Sequence, residues 1–178
     1  MKKTILIPTT IAALFLSSCS EKEEVSQKPV EREAVLDALV LDSAPEKPSE
    51  ISAIRSSAQP GETVTFKGLV MGSELVFMDG RAVMIMGDPN HVTPCNENDD
   101  DECPTPWDVC CDDPDVVTDS IVTVQVVDES GKPLKAPLKG LSGLRELSSV
   151  TVTGEIAEAS NKENMLVNAS GLFVHPHN

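Results

Sequence analysis

From Glu62 onward, apolar and polar positions alternate in short runs, the two-residue period of half-buried strands. ETVTFKGLVMG places Val64 and Phe66 on one face, and Leu69 joins them after a shift near Gly68. Asp79-Gly80 is a turn signal, after which RAVMIMGD reads as a strand apolar on both faces. SIVTVQVVD sets Ile121, Thr123 and Gln125 against Val122, Val124 and Val126. Glu129-Ser130-Gly131-Lys132 then turns, and LKGLSGLRELSS is a loop or a short helix. SVTVTGEIAEA and MLVNASGLFV complete the series as two strands around Ser160-Asn161-Lys162-Glu163-Asn164. Met78, Met84 and Met86 fall at strand spacing and read as core fillers.

Five strands, a helix-like insertion after the third, and glycines inside strands predict an all-β domain that closes into a small barrel. Gly68 and Gly154 mark where such a sheet must bend sharply. GLSGLRELSSVTVTGEIAEA followed by MLVNASGLFV resembles the closing half of OB-fold domains, so the fold class is a five-stranded OB-like barrel, with an open β-sandwich as the alternative. The barrel domain is placed over residues 51–178, with a short helical turn in ISAIRSSA ended by Pro60-Gly61.

Ahead of it, residues 19–50 are rich in Glu, Lys, Ser and Pro and poor in large apolar groups, the composition of a disordered acidic tether. Such a coil would span on the order of 30 Å. Within it, EREAVLDALVLD sets Val35, Leu36, Leu39 and Val40 at helical spacing, so a transient or docked helix can form there.

MKKTILIPTTIAALFLSSCS opens the chain with Lys2 and Lys3, then an apolar run too short to cross a bilayer, then small residues. Leu16-Ser17-Ser18-Cys19 resembles the lipobox of bacterial lipoproteins. The resemblance implies a signal peptide over 1–18, cleavage before Cys19, diacylglycerol on its sulfur and a further palmitate-type acyl chain on the new amino terminus. Ser20 after the cysteine favours sorting to the outer membrane, where the protein would be anchored without spanning.

Charge narrows the partners. The chain holds 14 Lys+Arg against 29 Asp+Glu, a formal net charge of −15, and loss of Lys2 and Lys3 makes the mature chain more acidic. That surface repels phosphate backbones, and 3% aromatics with no tyrosine offers no base-stacking platform, so nucleic acid is excluded as a partner. No G-x-S-x-G, H-E-x-x-H or P-loop occurs, so a non-enzymatic role without a resident cofactor is expected.

The chemistry concentrates in residues 88–119, a loop longer than most. It carries Cys95, Cys103, Cys110 and Cys111 at C-x7-C-x6-CC spacing, with the only tryptophan, Trp107, among them. In an oxidising compartment four cysteines are expected to form two disulfides, either 95–110 with 103–111 or 95–111 with 103–110. A bond between adjacent Cys110 and Cys111 is strained. Trp107 is expected to cover the sulfurs or cap the barrel end. The alternative is a thiolate metal site for copper, zinc or iron. The absence of C-x-x-C pairs weakens it, since adjacent cysteines in an extended chain point apart, although a copper variant could add His91 and nearby methionines. A reactive cysteine is disfavoured, because the surrounding acids should raise thiol pKa values.

Asp99, Asp100, Asp101, Glu102, Asp112 and Asp113, with Asn98 and Asp108, are oxygen donors for a weak Ca2+ site, although no EF-hand spacing is present. His175 and His177 read as a plain tail.

The stretch VMGSELVFMDGRAVMIMGDPN, the box CPTPWDVCC and VTVQVVDESGKPLK are together similar to uncharacterised exported OB-like domains of planctomycete and verrucomicrobial bacteria. That likeness implies fold and export, and no catalytic residues. The expected protein is therefore an envelope lipoprotein, facing the periplasm or the exterior, that contacts a protein or small ligand through its loop and barrel mouth.

Overall fold

The structure, a computed structural model, describes residues 29–98 and 103–176, with residues 29–31 as backbone only. Its elements run α1 (Pro29–Leu39), β1 (Ser49–Glu50), α2 (Ile51–Ser57), β2 (Thr63–Leu69), β3 (Val83–Gly87), α3 (Pro114–Ser120), β4 (Ile121–Gln125), β5 (Ser149–Ile156) and β6 (Leu166–Val174), with one-turn 3-10 helices at Cys95–Glu97 and Leu141–Gly143. The order β2-β3-β4-β6-β5 closes through β2–β5 pairing into the expected five-stranded, OB-like barrel. All the barrel contacts are antiparallel except β4–β6, which is parallel.

Alternation determines which side chains face inward. Along β4, Val122, Val124 and Val126 are buried, while Ile121, Thr123 and Gln125 are half-buried on the other face. Phe66, Met84, Met86, Val150, Val152, Val167 and Leu172 fill the interior, and Leu134, Leu138 and Leu144 extend it below. Met78 does not join them: it lies ahead of the Asp79-Gly80 turn, its N–H bonded to the Val83 carbonyl, and is 55% exposed, against the expectation of a core filler.

Both bending glycines have steric reasons. A Cβ on Gly154 would sit 2.5 Å from the Asn168 carbonyl, at the register shift between β5 and β6. A Cβ on Gly68 would meet Ile51 Cδ1 at 2.5 Å and the Gly87 carbonyl at 2.7 Å, where α2 and β3 press on β2.

The docked helix that EREAVLDALVLD allowed for is present: α1 packs on the barrel ahead of residue 51. Leu36 and Leu39, three apart on α1, bury 94% and 95% of their surfaces in the barrel core. Each such burial contributes roughly 1.5–3 kcal/mol, which outweighs the weak helix propensity of a short, highly charged segment. Val40 then bridges Leu172 of β6, Leu41 N–H donates to the Leu172 carbonyl at 2.8 Å, and β1 pairs with β2 at Phe66 and Lys67. The rest of the tether and the signal peptide lie outside the described residues.

Candidate functional site

Loop 88–119 folds back over one end of the barrel. Its own small core is Met71, Val92 and Val109, with Leu69, Trp107, Val117 and Leu147 against it. Trp107 is half-buried and also packs against the barrel core, so it joins the two clusters. Its indole Nε1 donates to the Glu74 carbonyl at 3.0 Å, and its own carbonyl accepts from Gly72 N–H at 3.0 Å. Its hydrogen bonds therefore tie the loop to the segment that leads into β3.

The loop also contains α3, which was expected to be irregular. Asp113 caps it, accepting from Asp115 N–H at 2.9 Å, and Pro114 stands at its first position, where a missing N–H costs nothing. Asp112 Oδ2 accepts from Thr93 N–H at 2.8 Å, pinning one limb of the loop to the other. Both expected cation ligands are thus engaged in fixing backbone. Asp99, Asp100, Asp101 and Glu102 lie outside the described residues, as does Cys19.

The cysteines, far apart in sequence, converge on Cys110. Its Sγ lies 3.7 Å from Cys95 Sγ and 3.9 Å from Cys103 Sγ. Cys95, Cys110 and Cys111 place their sulfurs within 4.8 Å of one another, and Cys103, Asp108 and Cys110 do the same with their donor atoms. A disulfide is about 2.05 Å long, so these are contact separations and not bonds. The convergence has local causes. Cys95 N–H donates to the Asp108 carbonyl at 2.8 Å and Asn96 N–H to the Pro106 carbonyl at 3.0 Å, zipping the limbs together. Asp112 N–H then closes a turn onto the Val109 carbonyl at 3.1 Å. That turn is what brings Cys110 and Cys111 to one side. The objection that neighbouring cysteines point apart applies to an extended chain, and the chain here is not extended.

Cys95 is buried, whereas Cys110 and Cys111 are exposed. The Cys103 thiol is held below its ordinary value, chiefly by hydrogen bonding with the Thr105 hydroxyl at 3.2 Å and also by the Thr105 backbone, Cys95 and Cys110. For this thiol the direction is opposite to the raised pKa expected, because hydrogen bonds to the sulfur outweigh the raising effect of burial.

His91 is drawn elsewhere. It groups with Glu50 and Asp88, not with the cysteines, and Met84 and Met86 point into the barrel core. Asp88 is 1% exposed, and its carboxylate accepts from Ser52 N–H and Oγ and from Asn90 N–H, each at 3.0 Å. It serves to join the start of α2 to the end of β3. At the tail, His175 Nε2 meets Thr151 Oγ1 at 2.9 Å and its ring stands edge-on to Phe173 at 4.9 Å. This histidine is part of the fold, contrary to the plain-tail reading.

Beside Glu74, the segment Leu75–Met78 lies along β3, with Ile85 N–H donating to the Val76 carbonyl at 2.8 Å and Met78 N–H to the Val83 carbonyl at 3.2 Å. Leu75 is 76% exposed. With Met78, Val76, Phe77 and Ile85 it lines an open apolar groove next to the cysteine loop. Sequence reasoning missed this groove, because Leu75 and Val76 precede the strand it recognised.

Among the described residues no helix is long and apolar enough to cross a membrane. Compared with protein-family models, curated proteins and solved structures, the chain matches none.

Proposed function

We propose that this chain is a lipid-anchored protein of the bacterial envelope, outer membrane favoured, acting as a non-enzymatic binding or accessory module. The observation that carries the binding role is the preformed face where the Trp107-anchored cysteine loop adjoins the groove containing Leu75 and Met78. Large apolar side chains held exposed beside a hydrogen-bonded loop are characteristic of contact surfaces. The anchor rests on the sequence pattern ending at Cys19. Export in turn supports closure of the loop by two disulfides. The pairing Cys95–Cys111 with Cys103–Cys110 has both sulfur separations within 4.8 Å.

Intact mass and fractionation test the anchor. The mature chain should begin at an acylated Cys19 and sediment with membranes, and Cys19→Ala should release it. An unprocessed chain in the cytosol, with all its thiols reactive, would refute the proposal. Leu75→Ser with Met78→Ser should abolish partner contact without unfolding the barrel, whereas unchanged crosslinking to its envelope partner would remove the groove from the reading.

A second reading, metal handling by the same loop, is favoured by the sulfur separations of 3.7 and 3.9 Å.

A further inference from the structure

We propose that the edge formed by Leu75–Met78 takes up an extended, basic segment of a partner protein as an added β-strand. The inference rests on the binding role given to this face and names its occupant.

Hydrogen bonding along the edge is the first argument. The Val76 carbonyl and the Met78 N–H face β3, where they bond the Ile85 N–H at 2.8 Å and the Val83 carbonyl at 3.2 Å. These two bonds flank the antiparallel bridge of Phe77 with Met84. Backbone groups alternate in direction along a strand, so the N–H and C=O of Phe77, and of Leu75 two residues before it, turn away from β3. Among the described residues neither has a backbone hydrogen-bond partner. An acyl chain or a small apolar ligand would cover the side chains and leave these donors and acceptors buried without partners, which is costly. An extended chain satisfies both the side chains and the backbone.

The edge also lacks the usual protection. Exposed edges are commonly blunted by charge or proline within the strand. Here Leu75 is 76% exposed and Met78 55%, and the acids Glu74 and Asp79 stand only at the two ends. The groove, about 470 Å³, continues the edge onto Val83, Ile85 and Thr123, where alternate side chains of an added strand would lie.

Charge selects the partner. Glu74 and Asp79 bound the edge, and the whole chain carries a formal −15. The nearby cations are engaged within the protein: Lys139 pairs with Glu146 and lies over the Phe77 ring, and Arg81 donates to the Pro133 carbonyl at 3.4 Å. A second copy would carry the same −15 and bring its own Glu74 and Asp79 to the same edge. The occupant is therefore a strand of a different protein, apolar at alternate positions and with lysine or arginine at its ends.

The test uses the full chain and a blocked peptide of alternating valine and threonine between terminal lysines. At millimolar peptide the Leu75 and Phe77 amide hydrogens should gain protection from exchange. Replacing the lysines by glutamates should weaken binding by about tenfold or more at low salt. N-methylation of alternate peptide amides, which leaves the protein untouched, should weaken it by about tenfold for each bond lost. Leu75→Pro, which removes an outward N–H, should weaken binding more than Leu75→Ala, which keeps it. Absence of binding at millimolar peptide would overturn the proposal. So would binding that leaves both amides unprotected, or equal affinity for the lysine and glutamate peptides. The binding face is judged separately. Envelope crosslinking unchanged in Leu75→Ser with Met78→Ser rejects the groove, whereas crosslinking lost in that variant and retained in Leu75→Pro rejects strand addition alone.

Discussion

Trp107 and Glu74 hold the loop and barrel together: the indole N–H reaches the Glu74 carbonyl at 3.0 Å, while the tryptophan backbone takes the Gly72 N–H at the same distance. The side chain also belongs to both apolar clusters. Trp107→Phe should keep most of the packing and lose one hydrogen bond, about 1 kcal/mol. Trp107→Ala should lose both, about 2–4 kcal/mol for a half-buried ring. Urea unfolding measures the two differences, and hydrogen exchange should show Gly72 N–H losing protection in the alanine variant.

Leu36 and Leu39 distinguish a docked helix from a tether. If α1 is part of the core, Leu36→Ala and Leu39→Ala should each cost about 2–4 kcal/mol in chemical denaturation. Val35, 41% exposed on the same helix, should tolerate alanine with a change within about 0.5 kcal/mol. A tether would leave all three variants at the stability of the parent.

Gly154→Ala should destabilise the barrel by about 1–3 kcal/mol, because the added methyl carbon would be forced against the Asn168 carbonyl at the register shift. Gly154→Val should prevent closure of β5 on β6, measured as loss of a cooperative thermal transition.

His175 gives a pH dependence with a fixed sign. Burial first, and the nearby positive Lys67 second, lower its pKa below the ordinary histidine value of about 6.5. A depressed folded pKa means that the neutral ring is the form the fold prefers. Its contribution is therefore present above about pH 6.5 and is lost as pH falls through the folded value. The fall in stability from pH 7 towards pH 5 should be shallower in His175→Gln than in the parent, as followed by denaturant midpoints at several pH values.

The strands were legible because their side chains alternate between a buried and an open face, and the pattern in SIVTVQVV is the same one that faces Val122, Val124 and Val126 inward. The role of α1 was harder to see. Among the described side chains of α1 only Leu36 and Leu39 are buried, and two leucines among acids resemble a solvated segment until β6 is in place beside them. α3 carried its start signal, Asp113-Pro114, inside a loop that the cysteines had already claimed for irregular structure. That the sulfurs would meet was expected from their number, but the way they meet had no signature. It depends on the hydrogen bonds of Cys95 to Asp108 and of Asn96 to Pro106, which are non-local, and on a turn at Cys110–Cys111 that spacing alone does not specify.

β2 meets β3 at one register pair, Leu69 with Gly87, while β1 lies along β2 at Phe66 and Lys67 just before that pair. The two residues of β1 thus occupy the stretch of β2 that β3 leaves uncovered. A chain shortened to begin at Ile51 would bare that stretch as an open edge, a template for strand addition by another copy. Such a fragment should self-associate more readily than the longer chain, a difference that sedimentation measures.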